Sequence, residues 1–213
     1  MTNVKNPAGS AGGVFFGAFG NGPAINAVQT LMDSNSEELP LAGTLLLAVP
    51  SLRDPSFRRA VVYIAAHSAE DGAFGYVLNR PLRQRVADLL PDQEFGPLGD
   101  VQVYAGGPVA TDKLAFAALR WSGHTLKCQT HLSVDDALHE LGMGREVRGF
   151  VGYSGWSGGQ IETEIERRSW IITPPSRSVL AARPGENLWG EVLCEMGPVF
   201  ELMARTPERL ELN

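Results

Sequence analysis

The sequence predicts an α+β fold built on a mixed, largely antiparallel sheet. Three short apolar runs, at 44–49, 60–66 and 73–78, have the length and composition of buried strands. The turn-forming sequence HSAEDG separates the second run from the third and favours a hairpin between them. Helical patterns then alternate irregularly with strands, without the βαβ rhythm of a doubly wound parallel sheet.

Periodicity and capping residues predict the remaining elements. Ser133 is typical of a helix N-cap, apolar residues follow it at helical spacing, and Gly142 ends that helix. A short helix at 86–90 ends before Pro91. Further strands are predicted at 101–104, 114–119, 147–153 and 170–173, and further helices after Gly159, at 188–196 and at 199–203.

Composition indicates one globular domain. The chain has 213 residues with 44% hydrophobic and 20% charged residues, which are ordinary values for a folded protein. Its net charge of −6 provides no global field that attracts phosphate backbones, which counts against direct nucleic-acid binding. Residues 1–40 are rich in glycine and lack a sustained period. We therefore expect a flexible tail at 1–40 and a single domain at 41–213.

Cysteine content favours a cytoplasmic location. Cys128 and Cys194 are too few for a disulfide framework and fit a reducing compartment, although one disulfide between them is compatible with the sequence. No run approaches the roughly 20 apolar residues of a membrane helix, and the N-terminus lacks the pattern of a signal peptide. We expect neither a cofactor nor a membrane partner.

Three sequence blocks together resemble the YqgE/AlgH family of bacterial proteins. The first, at 43–82, combines P-S-L-x-D-P-x-F, V-V-Y-I, a histidine and G-x-V-x-N-x-P-L. The second is VYAGGPV at 103–109, and the third is GYSGWSGGQIETEIERRSW at 152–170. Their order and spacing agree with the family across 43–173. One departure is Ser157-Gly158, where the family more often has a Gly-Pro-like turn.

The resemblance implies a sheet that curls into a pseudo-barrel with helices packed outside. One branch of the family is named as a regulator of transcription of alginate synthesis, and the biochemical activity is otherwise not established. The resemblance therefore implies a non-catalytic binding or regulatory protein, with transcriptional regulation as the more specific suggestion. A family name is a weak warrant for function, so the residues themselves have to be weighed.

Nucleophilic catalysis and anion binding each have one candidate in the third block. Ser154 nearly matches the nucleophile elbow G-x-S-x-G, but Trp156 occupies the second glycine position. The glycine turn leads into a helix that could hold phosphate at its N-terminus. That helix carries Glu162, Glu164 and Glu166, which complement the helix dipole themselves and would repel a phosphate.

Metal binding has one candidate segment, HTLKCQTH at 124–131. His124, Cys128 and His131 have plausible ligand spacing, and His139 or Asp135 would be the additional ligands. On a strand, however, the first three side chains would not share one face. We therefore expect ordinary side chains here and no metal ion.

The polar family positions offer a candidate pocket. His67 follows a strand and is a candidate general base, although a hydrogen bond to the acidic turn that follows is favoured. Asp54 suits an N-cap or a turn, and Asn79 ends a strand. The enzymatic alternative is a hydrolase that uses Asp54, His67 and Asn79. If the family positions share a ligand pocket, its expected residues are Asp54, Asn79, Arg80, Tyr153, Trp156 and Gln160.

Local basic charge keeps nucleic-acid binding open as a third hypothesis. The sequence contains no helix-turn-helix, zinc-finger or RNP signature. We therefore expect an unidentified protein or small molecule as the partner, with nucleic acid disfavoured by the net charge. A basic patch would form if two segments meet, and its arginines are Arg53, Arg58, Arg59, Arg80, Arg83 and Arg85.

Overall fold

A computed structural model describes residues 41–181 and 187–207 of the chain. The predicted tail at 1–40 lies outside these residues. The described part is an α+β fold in which a mixed sheet curls into a half-barrel with helices packed against it, which confirms the predicted fold class. No helix in the described residues is long and apolar enough to span a membrane.

Within the described residues, nine strands form the sheet. Their order is β4-β5-β8-β3-β2-β1-β9, with β7 paired to β6 and β6 paired to β8. Neighbouring strands run antiparallel except β5 and β8, which are parallel. The strands are β1 Leu45–Ala48, β2 Val61–Ser68, β3 Gly72–Val77, β4 Pro81–Arg85, β5 Gln102–Ala105, β6 Val109–Ser122, β7 Thr125–Leu132, β8 Glu146–Trp156 and β9 Trp170–Thr173.

The helices of the described residues are mostly short. The predicted helix after Ser133 is confirmed, because the Ser133 hydroxyl accepts a hydrogen bond from the backbone N–H of Asp136 at 3.1 Å. A 3-10 helix at Gly96–Asp100 was not predicted. The α-helices are α1 Val86–Leu89, α2 Val134–Gly142, α3 Gln160–Glu166, α4 Ser178–Ala181, α5 Leu188–Glu195 and α6 Pro198–Ala204.

Alternation along β1 and β2 divides the core between the two faces of the sheet. Leu45 and Leu47 point to one face, and Leu46 and Ala48 point to the other. We call the first the tyrosine face; it contains Tyr63, Tyr76, Tyr104 and Phe150 and is covered by Trp189, Val192 and Leu193 of α5. We call the second the tryptophan face; it contains Trp156, Trp170 and Phe57 and is covered by Ile161 of α3.

The predicted strand at 147–153 is three residues too short at its C-terminal end. The structure continues β8 to Trp156, because Ser154 pairs with Gly75 and Trp156 pairs with Ala73 of β3. The first half of β8 pairs instead with β5 and β6, so β8 is the strand at which the sheet divides. Ser154 therefore lies inside a strand and not in the glycine turn.

Candidate functional site

The third sequence block packs directly against the tip of the β2–β3 hairpin. A side chain at Gly158 would overlap the backbone carbonyl oxygen of Glu70. A side chain at Gly72, where φ is +98°, would overlap the carbonyl oxygen of Trp156. Glycine is required on both sides of this contact because two backbones approach each other without room for a Cβ atom. The contact places α3 beside the end of β2.

Glu164 of α3 binds the two tryptophans of the tryptophan face. Its Oε2 atom accepts hydrogen bonds from Nε1 of Trp156 at 3.0 Å and from Nε1 of Trp170 at 2.8 Å. Its Oε1 atom accepts a third from Nε2 of Gln160 at 2.9 Å. The Phe57 ring packs against both indoles, with its centroid 5.9 Å from that of Trp156 and 5.4 Å from that of Trp170. Trp156 and Gln160 therefore share one cluster, which we call the Trp–Glu cluster, and both hold the same carboxylate.

His67 meets a second glutamate of α3. Its Nε2 atom lies 2.5 Å from Oε1 of Glu162, and the His67 side chain is 9% exposed. His67 therefore has a partner on α3 instead of the expected one in the acidic turn. In that turn the Asp71 carboxylate accepts from the Ser68 hydroxyl, and the Asp71 N–H donates to the same hydroxyl. The other carboxylate oxygen of Glu162, Oε2, is buried and has no hydrogen-bond partner among the described residues.

Residues 53–59, which we call the arginine loop, join β1 to β2. The Oδ1 atom of Asp54 accepts the N–H of Ser56 at 2.8 Å, and its carbonyl oxygen accepts the N–H of Arg58 at 2.7 Å. Asp54 therefore stabilises a turn, since no helix begins there.

Asn79 fastens the end of the arginine loop to the start of β2. It is 5% exposed; its Oδ1 atom accepts a hydrogen bond from the backbone N–H of Val61 at 2.9 Å, and its Nδ2 atom donates to the Arg59 carbonyl at 2.8 Å.

Four of the six candidate arginines gather at this loop. The Arg80 guanidinium donates to the carbonyl of Arg58, so Arg80 joins Arg53, Arg58 and Arg59. Arg59 has a packing role as well, because its guanidinium lies 4.9 Å above the ring of Trp189. The other two, Arg83 and Arg85, follow on β4, where Arg85 forms an ion pair with Asp100 at 2.6 Å.

The structure brings some predicted site residues together and separates others. Phe57 links the arginine loop to the Trp–Glu cluster. Asn79 binds Val61 at the start of β2, whereas His67 lies six residues further along that strand, about 20 Å away at the rise of a strand. Tyr153 packs against Phe74 on the tyrosine face, with ring centroids 5.1 Å apart. It therefore lies on a different face from Trp156.

The side chains of the candidate nucleophile and of the candidate metal ligands make contacts that stabilise the fold. Ser154 is fully buried, and its hydroxyl donates to the carbonyl of Gly106 at 3.1 Å. Cys128 is a free thiol on β7, and His131 of the same strand stacks on Phe74. Among residues 41–181 and 187–207, no three His, Cys, Asp or Glu side chains converge as metal ligands do.

Sequence reasoning missed the buried polar groups of the tyrosine face. The Tyr63 hydroxyl donates to the Leu126 carbonyl at 3.0 Å and so joins β2 to β7 across the half-barrel. Desolvation by burial raises the pKa of Tyr63, of Tyr76 and of the Cys128 thiol to about 12 in each case. The V-V-Y-I run showed a buried strand, but it contained no signal for the partner of its tyrosine.

Arg148 is the second buried group that the sequence did not indicate. Its side chain is buried, with 3% of the residue exposed. The Nε atom donates to the carboxylate of Glu146 at 2.7 Å, and the Nη2 atom donates to the Val179 carbonyl at 2.9 Å. Its guanidinium also lies 4.9 Å above the ring of Tyr104. These contacts neutralise a charge that would otherwise be costly to bury. They connect β8 to α4 and indicate a structural role.

Comparison with known proteins agrees with this geometry. The AlgH-like family matches residues 45–201 of the chain. The protein belongs to this family. A UPF0301 protein of Nocardia farcinica is 35% identical over 190 residues, which cover 83% of this chain and 87% of the relative. A UPF0301 protein of Pseudoalteromonas translucida is 36% identical over 183 residues, covering 79% of this chain and 96% of the relative.

Two solved structures resemble the AlgH-like fold described above. The AlgH protein from Pseudomonas aeruginosa superposes with a TM-score of 0.58 at 27% identity, covering 82% of this chain and 98% of that one. A Corynebacterium diphtheriae protein superposes with a TM-score of 0.62 at 22% identity, covering 83% and 97% respectively. The second likeness concerns the fold alone. None of these names states a substrate or a partner, so the function has to be argued from the geometry.

Proposed function

We propose that this AlgH-like protein is a non-catalytic binding protein with a regulatory role, located in the cytoplasm. We further propose that its arginine loop contacts an acidic surface of a partner protein. The supporting observation is that the polar motif residues hold this loop and α3 in place from inside the fold. Asn79 binds backbone groups at the end of the loop and at the start of β2, and Glu164 binds the two tryptophans.

The charge of the loop supports an anionic partner. Residues 53–59 contain three arginines and one aspartate, a net charge of +2 in a protein whose net charge is −6. Arg53 and Arg58 are exposed, and both also interact within the chain. Arginine is enriched at protein interfaces because its planar guanidinium binds carboxylates with two parallel hydrogen bonds. A cationic loop that is already ordered also loses less conformational entropy on binding.

The hydrolase alternative has less support from the geometry. It uses Asp54, His67 and Asn79, but His67 lies about 20 Å along β2 from the residue that Asn79 binds. A general base has to lie within hydrogen-bond reach of the proton that it removes. His67 pairs instead with Glu162, and the neighbouring hydroxyl of Ser68 is engaged with Asp71.

Charge reversal in the arginine loop tests the proposal. The double variant Arg53→Glu, Arg58→Glu and the wild type are used as baits in quantitative affinity capture, with Lys113→Glu, an exposed lysine on β6, as the matched control. We expect a protein that the wild type and the control retain and that the double variant loses. The captured protein is then purified and titrated directly. Equal capture by all three baits would overturn the assignment of the loop.

Transcriptional regulation is the second candidate, because the same arginines would contact phosphates. A 20-bp duplex is titrated with wild type at low and at moderate salt. Since DNA affinity that comes from phosphate contacts falls steeply with salt, a regulator should bind at low salt and release as salt rises. We expect no binding at low salt. Salt-sensitive binding that the double variant loses would replace the protein partner with nucleic acid.

A further inference from the structure

Helix α6 exposes an apolar stripe on its outer side. On its inner side, Phe200, Met203 and Ala204 pack against the tyrosine face. On the outer side, Val199 is 44% exposed and Leu202 is 69% exposed. Residues three apart are neighbours on a helix surface, so these two side chains form one continuous patch, which we call the α6 stripe.

The α6 stripe differs from the other exposed apolar positions. The remaining large apolar side chains that are exposed in the described residues are Val134 and Met143. They lie at opposite ends of α2 and do not adjoin one another. Single exposed apolar residues are ordinary on protein surfaces, whereas adjacent ones indicate a contact with another molecule.

The stripe ends beside the arginine loop. The Arg59 guanidinium donates to the carbonyl oxygen of Thr206, which follows α6. The backbone N–H of Thr206 bonds to the Met203 carbonyl at 3.1 Å, and Arg205 has helical dihedral angles, so the chain still turns as a helix at this point. Thr206 is therefore on the same side of the helix as Leu202 and about 6 Å further along its axis.

Positive charge gathers at this end of the stripe. Arg205, at the C-terminal end of α6, and Arg58, next to Arg59, are both exposed. Each has a partner within the chain; that of Arg205 is Glu201, at 2.5 Å. A guanidinium has five N–H donors, so each arginine can bind an additional carboxylate. The surface is therefore apolar along α6 and cationic where α6 meets the arginine loop.

We propose that the acidic partner of the arginine loop is an amphipathic helix that packs on the α6 stripe. Its apolar face covers Val199 and Leu202, and its carboxylates, one turn further along, bind the arginines of the loop. This helix is a specific form of the partner surface proposed above and depends on that proposal.

The chemistry of the surface favours a helix over other partners. The backbone groups of α6 are bonded within the helix, so an extended strand would find no edge to pair with, whereas side chains spaced three apart pack well against a second helix. Nucleic acid would leave the apolar stripe uncovered. An anionic membrane offers both apolar and negative groups, but it would repel a protein whose net charge is −6.

Three synthetic helical peptides of equal length form matched probes. The acidic peptide has a face of leucines and two glutamates one turn beyond it. The amide peptide has glutamines in place of these glutamates, and the serine peptide has serines in place of the leucines. Binding to the full chain is measured by fluorescence anisotropy. We expect the acidic peptide to bind the wild type and the other two to bind about tenfold more weakly, the ratio that corresponds to one lost leucine contact or one lost charged hydrogen bond.

Two variants assign each half of the peptide to its surface. Leu202→Ser should weaken binding of the acidic peptide about tenfold and leave the affinity for the serine peptide unchanged. Arg58→Gln should weaken binding of the acidic peptide and leave the affinity for the amide peptide unchanged. Met143→Ser, which removes an exposed apolar side chain elsewhere, is the matched control and should change nothing. Circular dichroism melts confirm that each variant is folded.

The outcomes separate this proposal from the one on which it depends. Unchanged binding of the acidic peptide to Leu202→Ser, with weaker binding to Arg58→Gln, would overturn the helix on the α6 stripe and leave the arginine loop as the partner surface. Equal affinities for the acidic and amide peptides would contradict the role of the loop itself. No detectable binding of the acidic peptide to the wild type would overturn the helix as well.

Vesicle sedimentation tests the membrane alternative. Vesicles of phosphatidylcholine and phosphatidylglycerol present an apolar interior beneath negative headgroups. We expect the wild type to stay in the supernatant. Co-sedimentation that Leu202→Ser abolishes would replace the partner helix with a membrane surface.

Discussion

The two faces of the curled sheet bury different kinds of polar group. On the tryptophan face, the indoles of Trp156 and Trp170 both donate to one oxygen of the Glu164 side chain, an acceptor supplied by the covering helix. On the tyrosine face, the Tyr63 hydroxyl donates to a backbone carbonyl, and burial raises the pKa of Tyr63 and of the Cys128 thiol to about 12. One face is held by a carboxylate that two indoles share, and the other by neutral phenol and thiol groups together with the Arg148–Glu146 ion pair.

This difference predicts different weaknesses. Removal of one carboxylate leaves two buried indole N–H groups on the tryptophan face without an acceptor, so that face should be most sensitive to mutation. The tyrosine face should be most sensitive to alkaline pH, because ionisation of a buried phenol or thiol is opposed by desolvation.

Removal of Glu164 should have the largest effect. Glu164→Ala leaves the Nε1 atoms of Trp156 and Trp170 buried and unpaired, and each such group costs on the order of 1–3 kcal/mol. We expect the free energy of unfolding to fall by about 3 kcal/mol, measured by urea denaturation with tryptophan fluorescence. Glu166→Ala, on the exposed side of the same helix, should change it by less than about 0.5 kcal/mol. A loss below about 1 kcal/mol for Glu164→Ala would contradict this account of the tryptophan face.

The glycine turn offers a test of how the tryptophan face is assembled. Gly158→Ala should cost about 2 kcal/mol, because the new Cβ atom has to displace the backbone of Glu70 at the hairpin tip. Gly159 is the matched control: its φ is +71°, but nothing lies within 4 Å of the position that a Cβ would take. Gly159→Ala should therefore lower the free energy of unfolding by about 1 kcal/mol, which is the cost of placing alanine in the left-handed conformation. Equal costs in thermal or urea unfolding would mean that the close approach to Glu70 is not limiting.

Alkaline titration tests the tyrosine face. The pKa of Tyr63 and of Tyr76 rises from the ordinary 10.0 to about 12, and that of Cys128 rises from 9.0 to about 12. Between these values the folded protein keeps protons that the unfolded chain has lost, so this contribution to stability is complete below pH 9 and is lost as the pH rises towards 12. Urea midpoints measured from pH 8 to pH 11 should therefore fall, and a flat profile would contradict the burial of these groups.

Tyr63→Phe separates the hydrogen bond from the titration. The variant leaves the Leu126 carbonyl without the Tyr63 donor and should cost about 1 kcal/mol at pH 7. Because one titrating group has been removed, its urea midpoint should fall less steeply above pH 9 than that of the wild type. Parallel profiles for the two proteins would show that Tyr63 does not ionise at these pH values or contributes nothing to the loss.

The smallest effect should come from Glu162, two residues from Glu164 on the same helix. Its side chain is 37% exposed, so solvent weakens its contact with His67, and its Oε2 atom has no hydrogen bond to lose among the described residues. Glu162→Gln keeps an acceptor for His67 and should cost less than about 1 kcal/mol in urea unfolding at pH 7. A cost as large as that of Glu164→Ala would remove the distinction between the two acids.

Local signals account for the elements that sequence reasoning predicted well. The N-cap at Ser133, the stop at Gly142 and the turn residues between β2 and β3 act within a few residues of themselves. Strand β4, with the sequence PLRQR, was missed because it lacks an apolar pattern and becomes a strand only by pairing with β5. The end of β8 was misplaced for a related reason, since its last residues are ordered by β3.

The contacts of the candidate site could be predicted from the sequence less well than the strands and helices. The sequence pointed to Trp156 and Gln160, to the glutamates of α3 and to His67, but not to their partners. His67 finds Glu162 across 95 residues, and Tyr63 finds Leu126 across 63. Such contacts depend on strand register, and a shift of one residue would send each side chain to the opposite face.

The sequence by itself therefore determined the family, most of the strands and helices in their order, and the residues that are unusual for their positions. Turn, capping and periodicity rules are local, and the motif blocks can be compared without coordinates. Only the tertiary structure decided that Asn79 holds the arginine loop, that Glu164 joins two tryptophans, and that the Tyr63 hydroxyl reaches the Leu126 carbonyl. These pairings arise when the sheet curls and brings strands that are distant in the chain together.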